Sequence, residues 1–194
     1  MNQLGINIGS SSVKIVLTEN DRIVLSKVEP HEGNFVSTLT KILSENPLPQ
    51  DLKALATGTE GRNLLQIRSV IEPICIEETL RHLPYKIDAL VSMGGESLTV
   101  YTIDSNRKII TSFSGNKCAS GTGEFFKQQL ARMNMTLADI RRIPPDSRVL
   151  KLSSRCSVFM KSDCTHRLNK GEATTGDIVL SLSDVMALKV AEFL

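Results

Sequence analysis

The 194-residue chain has no Cys-x-x-Cys pair, no apolar run long enough to span a bilayer, and no block of basic residues beside aromatic ones. The first absence removes the usual spacing signal of a zinc site built within one chain. The second excludes a transmembrane helix, and the third argues against a nucleic-acid surface. Aromatic residues make up only 4% of the chain, and 23 Lys and Arg against 21 Asp and Glu leave a formal charge of +2. What is present, 41% hydrophobic and 23% charged, is the composition of an ordinary soluble globular protein, with length for one large or two small domains. A strand pattern begins almost at the N-terminus and leaves no room for a signal peptide, so a cytoplasmic location is expected. There the cysteines Cys75, Cys118, Cys156 and Cys164 point to metal or redox chemistry or plain burial rather than to disulfides.

One stretch stands out. In Ser114-Gly-Asn-Lys-Cys-Ala-Ser-Gly-Thr-Gly-Glu-Phe-Phe126, Cys118 lies shortly before a Gly121-Thr122-Gly123 turn that opens into a helical run over 124–133. A helix start offers unpaired N–H groups and partial positive charge, a place for a thiolate, an anion or a metal. A buried structural cysteine beside an ordinary glycine turn fits the same pattern.

From the N-terminus, strands are predicted over 4–8, 13–18 and 21–28 as an antiparallel meander. The first turn, Gly9-Ser10-Ser11-Ser12, carries a glycine and three hydroxyls, with Lys14 close by. It suits phosphate oxygens, and also an ordinary serine-rich hairpin. Asn34 caps a predicted helix over 35–44 with Phe35, Val36, Leu39, Ile42 and Leu43 at helical spacing, and a buried strand over 53–57 runs into Gly58. Strand, crossover helix and strand imply a βαβ unit in a mixed sheet. Gly61 and Asn63 mark a loop; the chain is expected extended over 70–74 and helical over 76–83.

A strand over 89–93 then ends in Gly94-Gly95-Glu96-Ser97, and strands over 98–103 and 108–113 form a hairpin. Strand, glycine turn, strand, strand therefore occurs twice, as in an internal duplication whose two turns grip one phosphate chain; two unrelated hairpins are the plainer alternative. A short helix over 136–142 starts with a capping box closed by Asp139. Cys156 precedes a helical run over 158–169 ended by Gly171, repeating the logic of Cys118. The last helix, 174–194, has Ile178, Leu182, Val185, Met186, Val190 and Phe193 on its apolar side.

Gly5-Ile-Asn-Ile-Gly-Ser-Ser-Ser-Val-Lys14, Met93-Gly-Gly-Glu96, Asn116-Lys-Cys-Ala-Ser-Gly-Thr-Gly123 and Ser153-Ser-Arg-Cys-Ser-Val-Phe-Met-Lys-Ser-Asp163 occur in this order. Together they resemble the ATP-dependent activators of 2-hydroxyacyl-CoA dehydratases, relatives of the ATPase subunits of benzoyl-CoA reductase within the actin, Hsp70 and sugar kinase superfamily. The resemblance implies an α/β, actin-like ATPase (ribonuclease H-like) fold, with a first subdomain over 1–114 and the start of a second over 115–194. It implies a homodimer holding one [4Fe–4S] cluster on Cys118 and Cys156 of each copy, ATP or ADP with Mg²⁺, and a dehydratase partner that receives an electron. Gly9, Ser10, Ser11, Ser12, Lys14, Gly94 and Gly95 become phosphate loops, joined at the nucleotide by Gly121, Thr122 and Gly123. Cys75 and Cys164 match no ligand position, and Cys164 reads as a helix-face thiol.

The chain departs from that family in three places. Asn7 stands where an Asp helps hold hydrated Mg²⁺, Gly94-Gly95-Glu96-Ser97 where Gly-Gly-Gln-Asp is usual, and Gly115-Asn116 where the family has Asn-Asp. Two readings follow: an activator in which Glu96 orients water as the catalytic group, or a non-catalytic binding module with the same fold. A kinase of the superfamily is a third, which leaves both cysteine motifs unexplained. Family members continue past the last helix, so the resemblance also implies an activator domain with its second part truncated.

Overall fold

The computed structural model describes residues 1–115, 122–153 and 156–194, which divide into two compact units. One comprises Met1–Lys86 with Ser105–Ile109, the other Ile87–Asp104 with Ile110–Leu194.

In the first unit β1 (Asn2–Ile8), β2 (Ser12–Glu19) and β3 (Arg22–Pro30) form the predicted meander. Helix α1 (Phe35–Glu45) carries the chain across, and β4 (Leu52–Thr57) pairs parallel with β1, giving the order β3-β2-β1-β4. Alternation places Leu4, Ile6 and Ile8 of β1 and Val13, Ile15 and Leu17 of β2 on one face, under Leu39 and Ile42 of α1. Asn34 caps α1 as expected, its side chain accepting from Ser37 N–H at 3.1 Å. Val36, expected on the buried side, is 61% exposed. A turn of about 100° per residue sets it beyond the edge of the stripe formed by Phe35, Leu39, Ile42 and Leu43.

Two further expectations fail in this unit. Residues 61–64 form a short helix, α2 (Gly61–Leu64), rather than a loop, and α3 (Glu72–His82) begins inside the stretch expected to be extended. Pro73 sits in the first turn of α3, where a missing N–H breaks no helical bond, and Glu72 suits the positive end of the helix dipole. At the other end of α3, Arg107 Nη1 donates to the carbonyls of Leu80 and Arg81 at 2.8 and 2.9 Å. Glu77 accepts from Lys108 Nζ at 2.5 Å and from Ile109 N–H at 3.1 Å. These bonds tie the 105–109 turn to α3.

The second unit has the sheet β5 (Ala89–Met93), β6 (Leu98–Ile103) and β7 (Ile109–Ser114), in that order, followed by α4 (Gly123–Arg132), a 3-10 helix (Leu137–Arg142), α5 (Ser157–Asn169) and α6 (Thr175–Ala191). Phe125, Phe126 and Leu130 of α4, Met160 and Cys164 of α5, and Ile178, Val179, Leu182 and Val185 of α6 make its core with Leu152. The capping box before the 3-10 helix forms, Asp139 accepting from Thr136 N–H at 2.8 Å. Among the described residues, no helix is long and apolar enough to cross a membrane.

Helix α6 buries more than its apolar stripe, because Asp177 and Ser181 also lie inside. Asp177 accepts from Thr174 N–H at 2.9 Å and from Arg148 N–H at 2.6 Å, and Ser181 Oγ accepts from Leu150 N–H at 2.8 Å. From α5, Asp163 accepts from Ser153 N–H at 3.1 Å while Arg167 Nη2 donates to the Lys151 carbonyl at 3.1 Å. Backbone groups along 148–153 thus find side-chain partners, and that stretch is held in place.

The backbone bonds from Thr174 and then Arg148 hold the Asp177 carboxyl down at about 2, against the upward push of burial. A carboxyl lowered on folding adds stability that is complete above its unfolded value and disappears as pH falls through the folded one. Melting temperature is therefore expected to fall between about pH 4 and pH 2 through this group. Asp177→Asn should be less stable at neutral pH and show a flatter profile in that window; parallel profiles would show that the carboxylate is not responsible. Gly58 has φ +88°, and a Cβ there would lie 2.7 Å from the carbonyl carbon of Ile8. Gly58→Ala should therefore cost roughly 2–4 kcal/mol in urea unfolding, from left-handed backbone and overpacking together.

Candidate functional site

The two glycine turns are built alike. Ile8 pairs with Val13 and Met93 with Leu98, so each turn has four residues. Each is closed by the same bond, Gly9 N–H to the Ser12 carbonyl at 3.1 Å and Gly94 N–H to the Ser97 carbonyl at 2.8 Å. The recurrence read in the sequence is thus repeated in hydrogen-bond detail.

In the first turn the carbonyls are held by His31, a buried residue that the sequence reading did not single out. Its ring Nε2 lies 3.0 Å from the Gly9 carbonyl and its Nδ1 accepts from Gly33 N–H at 3.0 Å, so the proton is on Nε2. Its backbone N–H donates to the Ser11 carbonyl at 3.2 Å. In a trans peptide the carbonyl of one residue and the N–H of the next point oppositely. With the Gly9 and Ser11 carbonyls turned to His31, the N–H groups of Ser10 and Ser12 face the other way. Near Gly9 are Asn7 and Lys14: a Cβ on Gly9 would sit 3.6 Å from Asn7 Oδ1 and 3.8 Å from Lys14 Nζ.

In the second turn the carbonyls of Gly94 and Gly95 accept from Gly123 and Glu124 N–H, both at 3.0 Å. By the same peptide geometry the N–H groups of Gly95 and Glu96 turn away from α4, two successive donors of the kind that form an anion nest. Glu96, the candidate catalytic carboxylate, is exposed. Gly123 is needed for the approach, since a Cβ on it would lie 3.0 Å from the Gly94 carbonyl oxygen. Gly94, Gly95 and Gly123, singled out separately in the sequence, are thus in contact.

The same bonds correct the expectation of free N–H groups at the start of α4. Gly123 and Glu124 donate to the turn, Phe125 to Thr122 Oγ1 at 3.4 Å, and Phe126 to the Thr122 carbonyl at 3.2 Å. The first turn of α4 braces the glycine loop instead of facing a ligand.

Cys118 and Gly121 lie outside the described residues. Cys156 caps α5, its carbonyl accepting from Met160 N–H at 2.9 Å and its side chain half-buried. Val158 and Phe159, which follow it, are each 68% exposed. Cys164 is buried in the core of the second unit, and burial pushes its thiol up to about 11, which agrees with the reading of an inert helix-face thiol. Among the described residues, no three potential metal ligands of one chain come together.

No family model matches the chain. An uncharacterized protein of Methanocaldococcus jannaschii is 29% identical over 174 residues, 86% of this chain and 70% of that one. The (R)-2-hydroxyglutaryl-CoA dehydratase activating ATPase of Acidaminococcus fermentans is 25% identical over 198 residues, 96% of this chain and 75% of its own. Among solved structures, the activator of the 2-hydroxyisocaproyl-CoA dehydratase from Clostridium difficile, with bound ADPNP, superposes with a TM-score of 0.87 at 24% identity, covering 100% of this chain and 75% of that one. In sequence and in fold, then, the chain is similar to activators of 2-hydroxyacyl-CoA dehydratases, and it is an α/β protein with their actin-like fold.

Proposed function

We propose that the chain is an ATP-coupled activator that delivers an electron to a 2-hydroxyacyl-CoA dehydratase, acting as a homodimer. The observation that carries this is the half-buried Cys156 at the head of α5, followed by exposed Val158 and Phe159, in a chain related to dehydratase activators. A tetrathiolate cluster needs four cysteines. Cys118 and Cys156 provide two, and a two-fold pair of chains provides four. Val158 and Phe159 offer apolar surface beside Cys156 for the second copy to cover. The donor set fits a shared [4Fe–4S] cluster, which when bound supplies the electron.

ADPNP in the solved relative supports nucleotide binding here. Within this reading the N–H groups of Ser10, Ser12, Gly95 and Glu96 and the hydroxyls of residues 10–12 bind phosphate oxygens, Lys14 adds charge, and Asn7 orients the hydration shell of Mg²⁺ by hydrogen bonding. In this reading Gly121 and Thr122 contribute to nucleotide binding, and Gly123 does so by bracing the Gly94-Gly95 loop. Glu96 in this reading is the carboxylate that orients a water.

A docking module without hydrolysis is the second reading, favoured by the neutral side chains of Asn7 and Ser97. Steady ATP turnover that disappears in Glu96→Ala argues for the first; no turnover with intact nucleotide binding argues for the second. For the cluster, anaerobic reconstitution should give about four iron and four sulfide per two chains. Cys118→Ser and Cys156→Ser should each lose them, whereas Cys75→Ser and Cys164→Ser should keep them. Wild-type protein without iron, or iron retained in Cys156→Ser, would falsify the shared cluster.

A further inference from the structure

Among the described residues, one buried side-chain oxygen lacks a hydrogen-bond partner: Oγ1 of Thr57. Its position is specific. Thr57 ends β4 and lies in parallel register with Asn7 of β1, which is itself opposite Lys14 of β2. Because Leu4, Ile6 and Ile8 face the core beneath α1, the alternate residues Gly5 and Asn7 face the other side, as do Lys14 and Thr57 in the same row. A hydroxyl, an amide and an ammonium therefore lie side by side across three strands, directly below the Gly9 turn. Both β1 and β4 end here, and the carboxyl ends of parallel strands are where open α/β sheets bind ligands.

A buried hydroxyl without a partner destabilises the fold that holds it, and native proteins seldom keep one without a reason. An incoming acceptor supplies the reason. The neighbouring groups, an ammonium and the outward N–H groups of the turn, favour an acceptor with negative charge. We infer that Thr57 Oγ1 is a donor kept free for a phosphate oxygen of the bound nucleotide, and so a binding residue beyond the glycine turns. This inference rests on the nucleotide-binding part of the proposed function.

Melting of the full chain with and without Mg²⁺·ADPNP, together with direct titration of the nucleotide, tests it on Thr57→Val and Thr57→Ser. Valine keeps the shape and removes the hydroxyl; serine keeps the hydroxyl. Thr57→Val is expected to melt at or above the wild-type temperature without nucleotide, yet to bind Mg²⁺·ADPNP about tenfold more weakly and to show a smaller nucleotide-induced rise. Thr57→Ser should restore most of the affinity. Two results on a wild type that binds nucleotide would overturn the inference alone: wild-type affinity in Thr57→Val, or a lowered melting temperature of that variant without nucleotide, which would mean the hydroxyl has a partner inside the fold. No nucleotide response in the wild type itself would overturn the proposed nucleotide site and the inference with it.

Discussion

Each glycine turn depends on where its carbonyl oxygens go. A peptide plane that commits its oxygen to one side commits the following N–H to the other. In the first unit His31 takes the Gly9 and Ser11 carbonyls, and in the second the first turn of α4 takes those of Gly94 and Gly95. The protein thus uses its own donors to turn two sets of N–H groups outward. A turn left with free carbonyls would present the wrong sign to a phosphate. The buried imidazole shapes the first turn, and the helix start the second, as much as their glycines do.

The same economy of polar groups holds the backbone that precedes α5. The stretch before it, 148–153, has no strand neighbour among the described residues, and its backbone is served by Asp177 and Ser181 from α6 and by Asp163 and Arg167 from α5. The Asp177 carboxyl that accepts from Arg148 N–H also accepts from Thr174 N–H at the head of α6, and both bonds lower it. The backbone of 148–153 thus inherits its placement from the two helices that follow it in the chain. The exposed Val158 and Phe159 then lie beside the thiol on the surface rather than in the core.

Much of this was legible in the residues themselves. Alternating apolar positions in β1 and β2, the Asn34 cap, the Asp139 capping box and Gly171 with φ +69° are local signals, each acting over a few residues. The repeated glycine turn could be read for the same reason, since each turn lies within four consecutive residues between two strands. Where the local signal was ambiguous, as in the stretch 70–74 expected to be extended, Pro73 proved to be a first-turn residue of α3. Val36 shows a subtler limit: its apolarity fits the stripe, and only the width of the covering contact excludes it.

The strands, the mixed sheet, the two glycine turns and the cysteine at the head of α5 could be read from the residues alone, because periodicity, caps and turn chemistry are properties of neighbours along the chain. Folding alone brings His31 back to Gly9, turns the N–H groups of α4 to Gly94 and Gly95 rather than to a ligand, and leaves Thr57 a buried hydroxyl beside Asn7. Those three facts concern donors and acceptors far apart in the chain. Their pairing, or its absence, is settled by which backbone groups the folded sheet and helices leave unsatisfied.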